Sequence, residues 1–175
     1  MVLNDIKKYG LRPMLKYVYN QGKKDLVGVE LGVDKGFHSK QILSVLPMKK
    51  LYCVDGYQYY SDFRGSYNWV GHYYTALENL KPFGDKVVFV KKNSLDAVDD
   101  IQEKVDFVYI DSEHTGVQVV KELNSFLPMV KSGGVIGGHD FNAWRFPDYV
   151  SAICGFGFEN GMGVKNKNQD WWFVL

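Results

Sequence analysis

One decapeptide, Val27-Gly28-Val29-Glu30-Leu31-Gly32-Val33-Asp34-Lys35-Gly36, constrains this chain more than any other stretch. A short apolar β run ends in an acid and then breaks into a glycine-spaced loop. Phe37 to Leu46 follows with helical spacing and stops at Pro47. Strand, glycine loop and helix in that order make the first half of a nucleotide-binding βαβ unit. Glycines there let the backbone approach a ligand closely, and the helix N-terminus offers free N–H groups.

The rest of the chain extends that pattern. Leu11, Met14, Leu15 and Val18 predict an opening helix, with Pro13 near its start and Gly22 at its C-terminal end. Residues 1–24 form an N-terminal helical segment expected to pack across the sheet or cover a cleft. Further strands are expected at Leu51–Val54, Val87–Val90, Phe107–Ile110 and from Val135 to Gly138, with a short strand at Phe156–Glu159 and a last one at Trp171–Leu175. Helices are expected from Trp69 to Leu80, around Leu95–Ile101, from Val119 to Leu127, and from Tyr149 to Ile153. Strands alternating with helices predict an α/β fold: a Rossmann-like, doubly wound, mostly parallel sheet of six or seven strands with helices on both faces.

Composition excludes several classes. With 46% hydrophobic residues in 175, the chain can bury a full core. A net charge of +1 gives no electrostatic reason to expect nucleic acid or a membrane surface as partner. No apolar run approaches a membrane span, and Met1 to Lys8 lacks the apolar core of a signal peptide. Cys53 and Cys154 are too few for a disulfide scaffold, so a cytoplasmic location is the expectation. No Gly-x-Ser-x-Gly elbow points to a hydrolase, and four scattered histidines show no zinc-ligand spacing.

In open α/β sheets ligands bind at the carboxyl ends of the strands. Those ends carry Glu30 with the Gly32–Gly36 loop, Asp55, Asn93-Ser94, Asp111 to His114, and His139-Asp140. Any one of these could cap a helix or turn; five in a row predict a site. Asp55 lies about 20 residues beyond Gly36, where a dinucleotide fold places its ribose-binding acid. Asp34 stands where a pyrophosphate fingerprint has its middle glycine, which disfavours a pyrophosphate and favours an adenosyl ligand bearing a positive group. Residues 56–75 are crowded with Tyr57, Tyr59, Tyr60, Phe63, Tyr67, Trp69, Tyr73 and Tyr74, an insertion expected to be partly core and partly a lid with Arg64 and His72 as polar contacts.

Four segments together carry a family resemblance: Glu30 to Gly36, Val54-Asp55, Val105 to His114, and Gly133 to Phe141. They resemble class I S-adenosylmethionine (SAM) dependent methyltransferases, most of all small-molecule O-methyltransferases of the macrocin type. The pairing of Ile-Asp-x-x-His with Gly-Gly-x-x-x-x-His-Asp is the most specific part, and Asp170-Trp171-Trp172 looks like the closing strand. The resemblance implies one methyltransferase domain over residues 1–175. Glu30, Gly32, Val33, Asp34 and Gly36, with His38 and Ser39, would hold the amino-acid part of SAM. Asp55 would take the ribose, Gly56 and Tyr57 would border the adenosine, and Asn93 and Ser94 would lie near adenine. Asp111 would sit near the reactive methyl group.

Metal-dependent relatives hold magnesium with strand-end acids, and the matching positions are Asp111, His139 and Asp140. Histidine suits magnesium poorly, so a Mg2+ site and a metal-free general base, His139 or His114, both stand, with Asp111 and Asp140 completing the catalytic set. The expected reaction transfers methyl from SAM to a hydroxyl of a small molecule, a sugar or natural product among the candidates. A non-catalytic SAM- or nucleotide-binding domain, or one that needs a partner, is the alternative, and a second copy of the chain is one way to close so small a cleft. A nicotinamide oxidoreductase is disfavoured: Tyr19 and Lys23 precede the first strand.

Overall fold

The computed structural model describes residues 10–58 and 68–175. Tyr59, Tyr60, Phe63, Arg64 and Tyr67 of the expected lid, and the first nine residues, lie outside the described residues. The chain runs α1 (Pro13–Asn20), β1 (Leu26–Leu31), α2 (Phe37–Val45), β2 (Met48–Val54), α3 (Trp69–Leu80), β3 (Val87–Val90), β4 (Val105–Ile110), α4 (Gly116–Phe126), β5 (Val130–Gly138), α5 (Pro147–Glu159), β6 (Lys165–Lys167) and β7 (Asp170–Val174), with short 3-10 turns between some of them.

Seven strands form one sheet in the order β3-β2-β1-β4-β5-β7-β6, parallel except for β7, which runs against both β5 and β6. The order reverses between β1 and β4, and that switch point opens a crevice at the strands' carboxyl ends. Side chains alternate between two cores. Val27, Val29 and Leu31 face α4 and α5 with Val108, Ile110, Leu123, Tyr149 and Ile153. Leu26, Leu51, Cys53, Phe107 and Tyr109 face α1, α2 and α3. Both faces of β1 and β4 are buried, which is why these strands read as near-continuous apolar runs.

The expected short strand at Phe156–Glu159 is instead the end of α5. Gly155 and Gly157 alternating with Phe156 and Phe158 mimic the two-residue period of a strand. The burial of Tyr149, Ile153 and Phe156, however, follows helical spacing. Gly157 is tolerated in this helix because a Cβ there would lie 2.8 Å from the Phe173 ring. The sixth strand is Lys165–Lys167, a polar, fully exposed edge that carries no apolar signal.

The opening helix is docked by a distant residue. Its N-cap position, Arg12, makes no side-chain cap. The free N–H of Met14 donates to Asp170 Oδ2 at 3.0 Å, from the first residue of β7, and Asp170 is fully buried. Tyr109 Oη donates to the other Asp170 oxygen at 2.8 Å. Three elements meet at this carboxylate, and the meeting delivers Arg12 to the crevice.

Candidate active site

Two adjoining clefts open at the switch point. The larger, about 480 Å³, is walled by Gly32, Val33, Asp34 and His38 on one side and by Asp111, His114, Asp140 and Phe146 on the other, with Arg12, Phe37 and Trp69 around it. The smaller, about 280 Å³, is walled by Asn93, Ser94, Gln58, Glu113 and Gln118. Gly32, Asp55 and Ser112 belong to both. The sequence-expected Gly32, Val33, Asp34, His38, Asp55, Asn93, Ser94, Asp111, His114 and Asp140 thus line clefts at one edge of the sheet.

Gly32 allows the strands to meet there. It has φ +87°, and a Cβ would lie 2.0 Å from the Asp111 carbonyl oxygen. Asp55 organises the loop beyond it. Its Oδ2 accepts from the N–H groups of Val33 and Asp34, both at 2.9 Å, and its Oδ1 accepts from Tyr57 N at 2.7 Å. Burial pushes its pKa up, and these three donors only partly offset that. Asp34 has φ +50° and pairs with His72 of α3, which ties the glycine loop to the helix after the aromatic segment.

Glu30 is fully buried and does not reach the clefts. One oxygen meets His38 Nδ1 at 2.7 Å and the other accepts from Ser39 Oγ. It acts on the site through His38, whose ring packs on Tyr109 and whose Nε2 has no hydrogen-bond partner among the described residues. Ser39, Gly36, Gly56 and Tyr57 likewise stand behind the walls. Gly56 backs directly onto Asn93, and Tyr57 is buried edge-on against Tyr73.

The β4–β5 side of the larger cleft is an ion network. Arg12 donates to Asp111 Oδ2 at 2.7 Å and to Tyr109 Oη at 2.9 Å. His114 Nε2 lies 2.9 Å from Asp140 Oδ2 and 3.8 Å from Asp111 Oδ1, and its ring stacks on Phe146. Burial alone would raise the Asp111 pKa, but the His114 and Arg12 contacts outweigh it and hold it far below the ordinary carboxylate range. Asp140 is also held low, its burial outweighed by His114.

One ligand atom each from Asp111, His114 and Asp140 fits within 4.8 Å, a grouping able to hold a cation. The sequence-expected set had His139 where the structure places His114. The reason is the backbone: the His139 N–H donates to Ile110 O, and its carbonyl accepts from Trp171 Nε1, both at 3.1 Å. The β4-to-β5 and β5-to-β7 pairings fix the residue, and its Nδ1 is buried without a partner among the described residues. Burial, reinforced by Arg12, lowers its pKa. Mixed nitrogen and oxygen donors fit a manganese- or zinc-like ion better than magnesium, and Arg12 already neutralises one Asp111 oxygen.

Arg12 and Gln118 line the clefts although sequence reasoning missed them, whereas Ser112 falls inside the expected Asp111–His114 stretch. Arg12 precedes a helix N-terminus and carries no motif; only the docking of α1 on Asp170 brings it in. No helix among the described residues is long and apolar enough to cross a membrane.

Comparison of the sequence with curated proteins finds no match. Among solved structures the fold is similar to the O-methyltransferase NovP, with 14% identity and a TM-score of 0.69 over 99% of this chain and 78% of that one. It is also similar to the apo form of CalS11, a TDP-rhamnose 3'-O-methyltransferase of calicheamicin biosynthesis, with 12% identity and a TM-score of 0.66 over 99% and 85%. An rRNA methylase from Streptococcus thermophilus is similar at 11% identity and a TM-score of 0.61 over 94% and 95%. At such identities these likenesses show the fold alone. A family described as a methyltransferase domain matches residues 29–141, well over half of the chain, and takes in the second half of β1, the glycine loop, Asp55, Asp111, His114 and Asp140. The chain therefore belongs to that methyltransferase-domain family.

Proposed function

We propose that this protein transfers a methyl group from SAM to a hydroxyl of a small molecule. The carrying observation is the pair of adjoining clefts with Asp111, His114 and Asp140 clustered where they meet the glycine loop. The fold supports SAM as donor, and the cleft walls suit its parts. The Val33–Asp34 turn and His38 border the larger cleft, where the amino-acid portion fits. Asp55 stands at the shared wall, where its carboxylate would meet a ribose diol. The smaller cleft takes the adenine.

Sulfonium methyl transfer is an in-line displacement, and holding donor and acceptor aligned supplies about 7–11 kcal/mol. Asp111 places negative charge beside the site, which favours a cationic donor. His114, held between two carboxylates and stacked on Phe146, is positioned to take the hydroxyl proton, and Asp140 orients its ring. A positioned histidine contributes about 10²–10⁴-fold. A divalent cation bound by Asp111, His114 and Asp140 would lower the pKa of a bound hydroxyl. Oxygen is taken as the accepting atom on the motif resemblance, in keeping with the names of NovP and CalS11 though their likeness shows only the fold. Phe37, Trp69 and Phe146 around the larger cleft suit a small acceptor with apolar faces.

The test is calorimetric titration with S-adenosylhomocysteine (SAH), followed by methyl-transfer assays on hydroxylated acceptors with chelator and with added Mn2+ or Mg2+. One-to-one micromolar binding with transfer to oxygen is the expected result. A folded protein that binds no SAH would overturn the reading. Transfer unaffected by chelator would remove the metal and leave His114 as the base.

A further inference from the structure

Beneath the smaller cleft lies a hydrogen-bond network that the transfer chemistry does not use. Glu122 of α4 is fully buried. Three donors converge on its Oε1: Ser94 Oγ at 2.5 Å, Ser112 Oγ at 2.7 Å and Gln118 Nε2 at 3.1 Å. Gln118 Nε2 also donates to Ser94 Oγ at 3.0 Å.

The network determines which way the Gln118 amide faces. The Ser94 proton goes to the carboxylate, so the Ser94 oxygen needs an N–H from elsewhere. Only the nitrogen end of the Gln118 amide satisfies both Ser94 and Glu122; the carbonyl end would crowd three oxygens together. Both amide protons are thereby committed to the wall. The remaining atom, Oε1, takes no protein donor among the described residues, and it is not among the buried polar atoms that lack a partner. Gln118 is half-buried and lines the cleft, so its carbonyl is left to the open side.

We infer that Gln118 is the residue by which the donor site reads its purine: its locked carbonyl accepts from the 6-amino group of adenine and rejects a 6-oxo purine. The inference rests on the SAM reading above and names a specificity-determining residue within it. A 6-oxo purine would set carbonyl against carbonyl. Turning the amide to relieve this would break the bonds to Ser94 and Glu122. Besides Asp55, this wall carries Glu113, which is half-buried, and Asp96, which is exposed and solvated, where a carboxylate discriminates weakly.

The experiment titrates SAH and S-inosylhomocysteine, its 6-oxo analogue, into wild type, Gln118→Ala and Gln118→Leu. Wild type is expected to prefer SAH by about 10- to 100-fold. Gln118→Ala should lose most of its SAH affinity advantage, bringing the ratio within about threefold. Gln118→Leu keeps the bulk of the wall without its carbonyl, so it should show the same collapse of the ratio. A purely structural role for Gln118 would weaken both ligands equally, and that result, or an unchanged ratio, overturns the inference alone. Failure of folded wild type to bind SAH overturns the donor-site reading and this inference with it.

Discussion

The two sides of the cleft commit their charges differently. Beside β1 and β2, the Asp55 carboxylate is committed to three main-chain N–H groups. Beside β4 and β5, Arg12, Asp111, His114 and Asp140 are committed to one another through side chains. Peptide planes hold the first arrangement, so it is already shaped before a ligand arrives. Rotatable side chains hold the second, so an incoming acceptor can exchange one partner for another. On the proposed reading, the donor side is a mould and the reaction side is an adjustable charge network.

Substitutions on the reaction side should show the largest effects and should fall on turnover. Asp111→Ala is expected to abolish methyl transfer, and His114→Ala to lower kcat by about 10²–10⁴-fold, with SAH affinity within about fivefold for His114→Ala. Single-turnover assays with calorimetry separate the two quantities. An equal loss in SAH affinity for His114→Ala would break the division of labour between the sides.

Asp55→Ala should do the reverse. It removes a ribose acceptor and leaves three N–H groups without their partner, so SAH affinity should fall by about 100-fold or more, at roughly 1.5–3 kcal/mol per charge-assisted bond. Calorimetry decides it, and an unchanged affinity would remove Asp55 from the donor site.

The same contrast explains what could be read from the sequence. The donor side follows from local chain: a β run, a glycine loop and an acid about 20 residues later. Such spacing survives as text because main-chain geometry dictates it. Asp111, His114 and Asp140 were also legible, as strand-end residues. Which histidine joins the acids was not, because it depends on how β5 pairs with β4 and β7. Arg12 was less legible still. It lies 99 residues from Asp111 in the chain, and it reaches the cleft only because Asp170 docks α1. In the tail, glycines alternating with phenylalanines imitated a strand that tertiary packing turned into helix.

Arg12→Ala should be intermediate, lowering turnover by about 10- to 100-fold with little change in SAH affinity. It also carries a pH signature. Burial raises the Asp111 pKa, but His114 and Arg12 together hold it below its unfolded value. A depressed carboxylate stabilises the fold above its unfolded pKa of about 3.9 and loses that contribution as pH falls toward its folded value. Without Arg12 that contribution is smaller and is exhausted at a higher pH, so the acid-unfolding midpoint should move up. Fluorescence between pH 7 and pH 2 follows it. An unmoved midpoint would show that His114 alone sustains Asp111.

His139 should give the smallest effect and the finest test of the comparison. It neighbours the reaction network, but its structural role lies in its main chain, whose bonds to Ile110 and Trp171 survive substitution. His139→Leu is therefore expected to keep turnover within about threefold of wild type, against the large loss for His114. Its imidazole is half-buried and, with Arg12 nearby, has a folded pKa below the usual histidine value. Such a group favours the fold above its unfolded pKa of about 6.5 and weakens it as pH falls. Leucine escapes that penalty, so the Tm difference between His139→Leu and wild type should shift in favour of the variant from pH 8 to pH 5.5. A turnover loss matching that of His114 would instead place His139 inside the network.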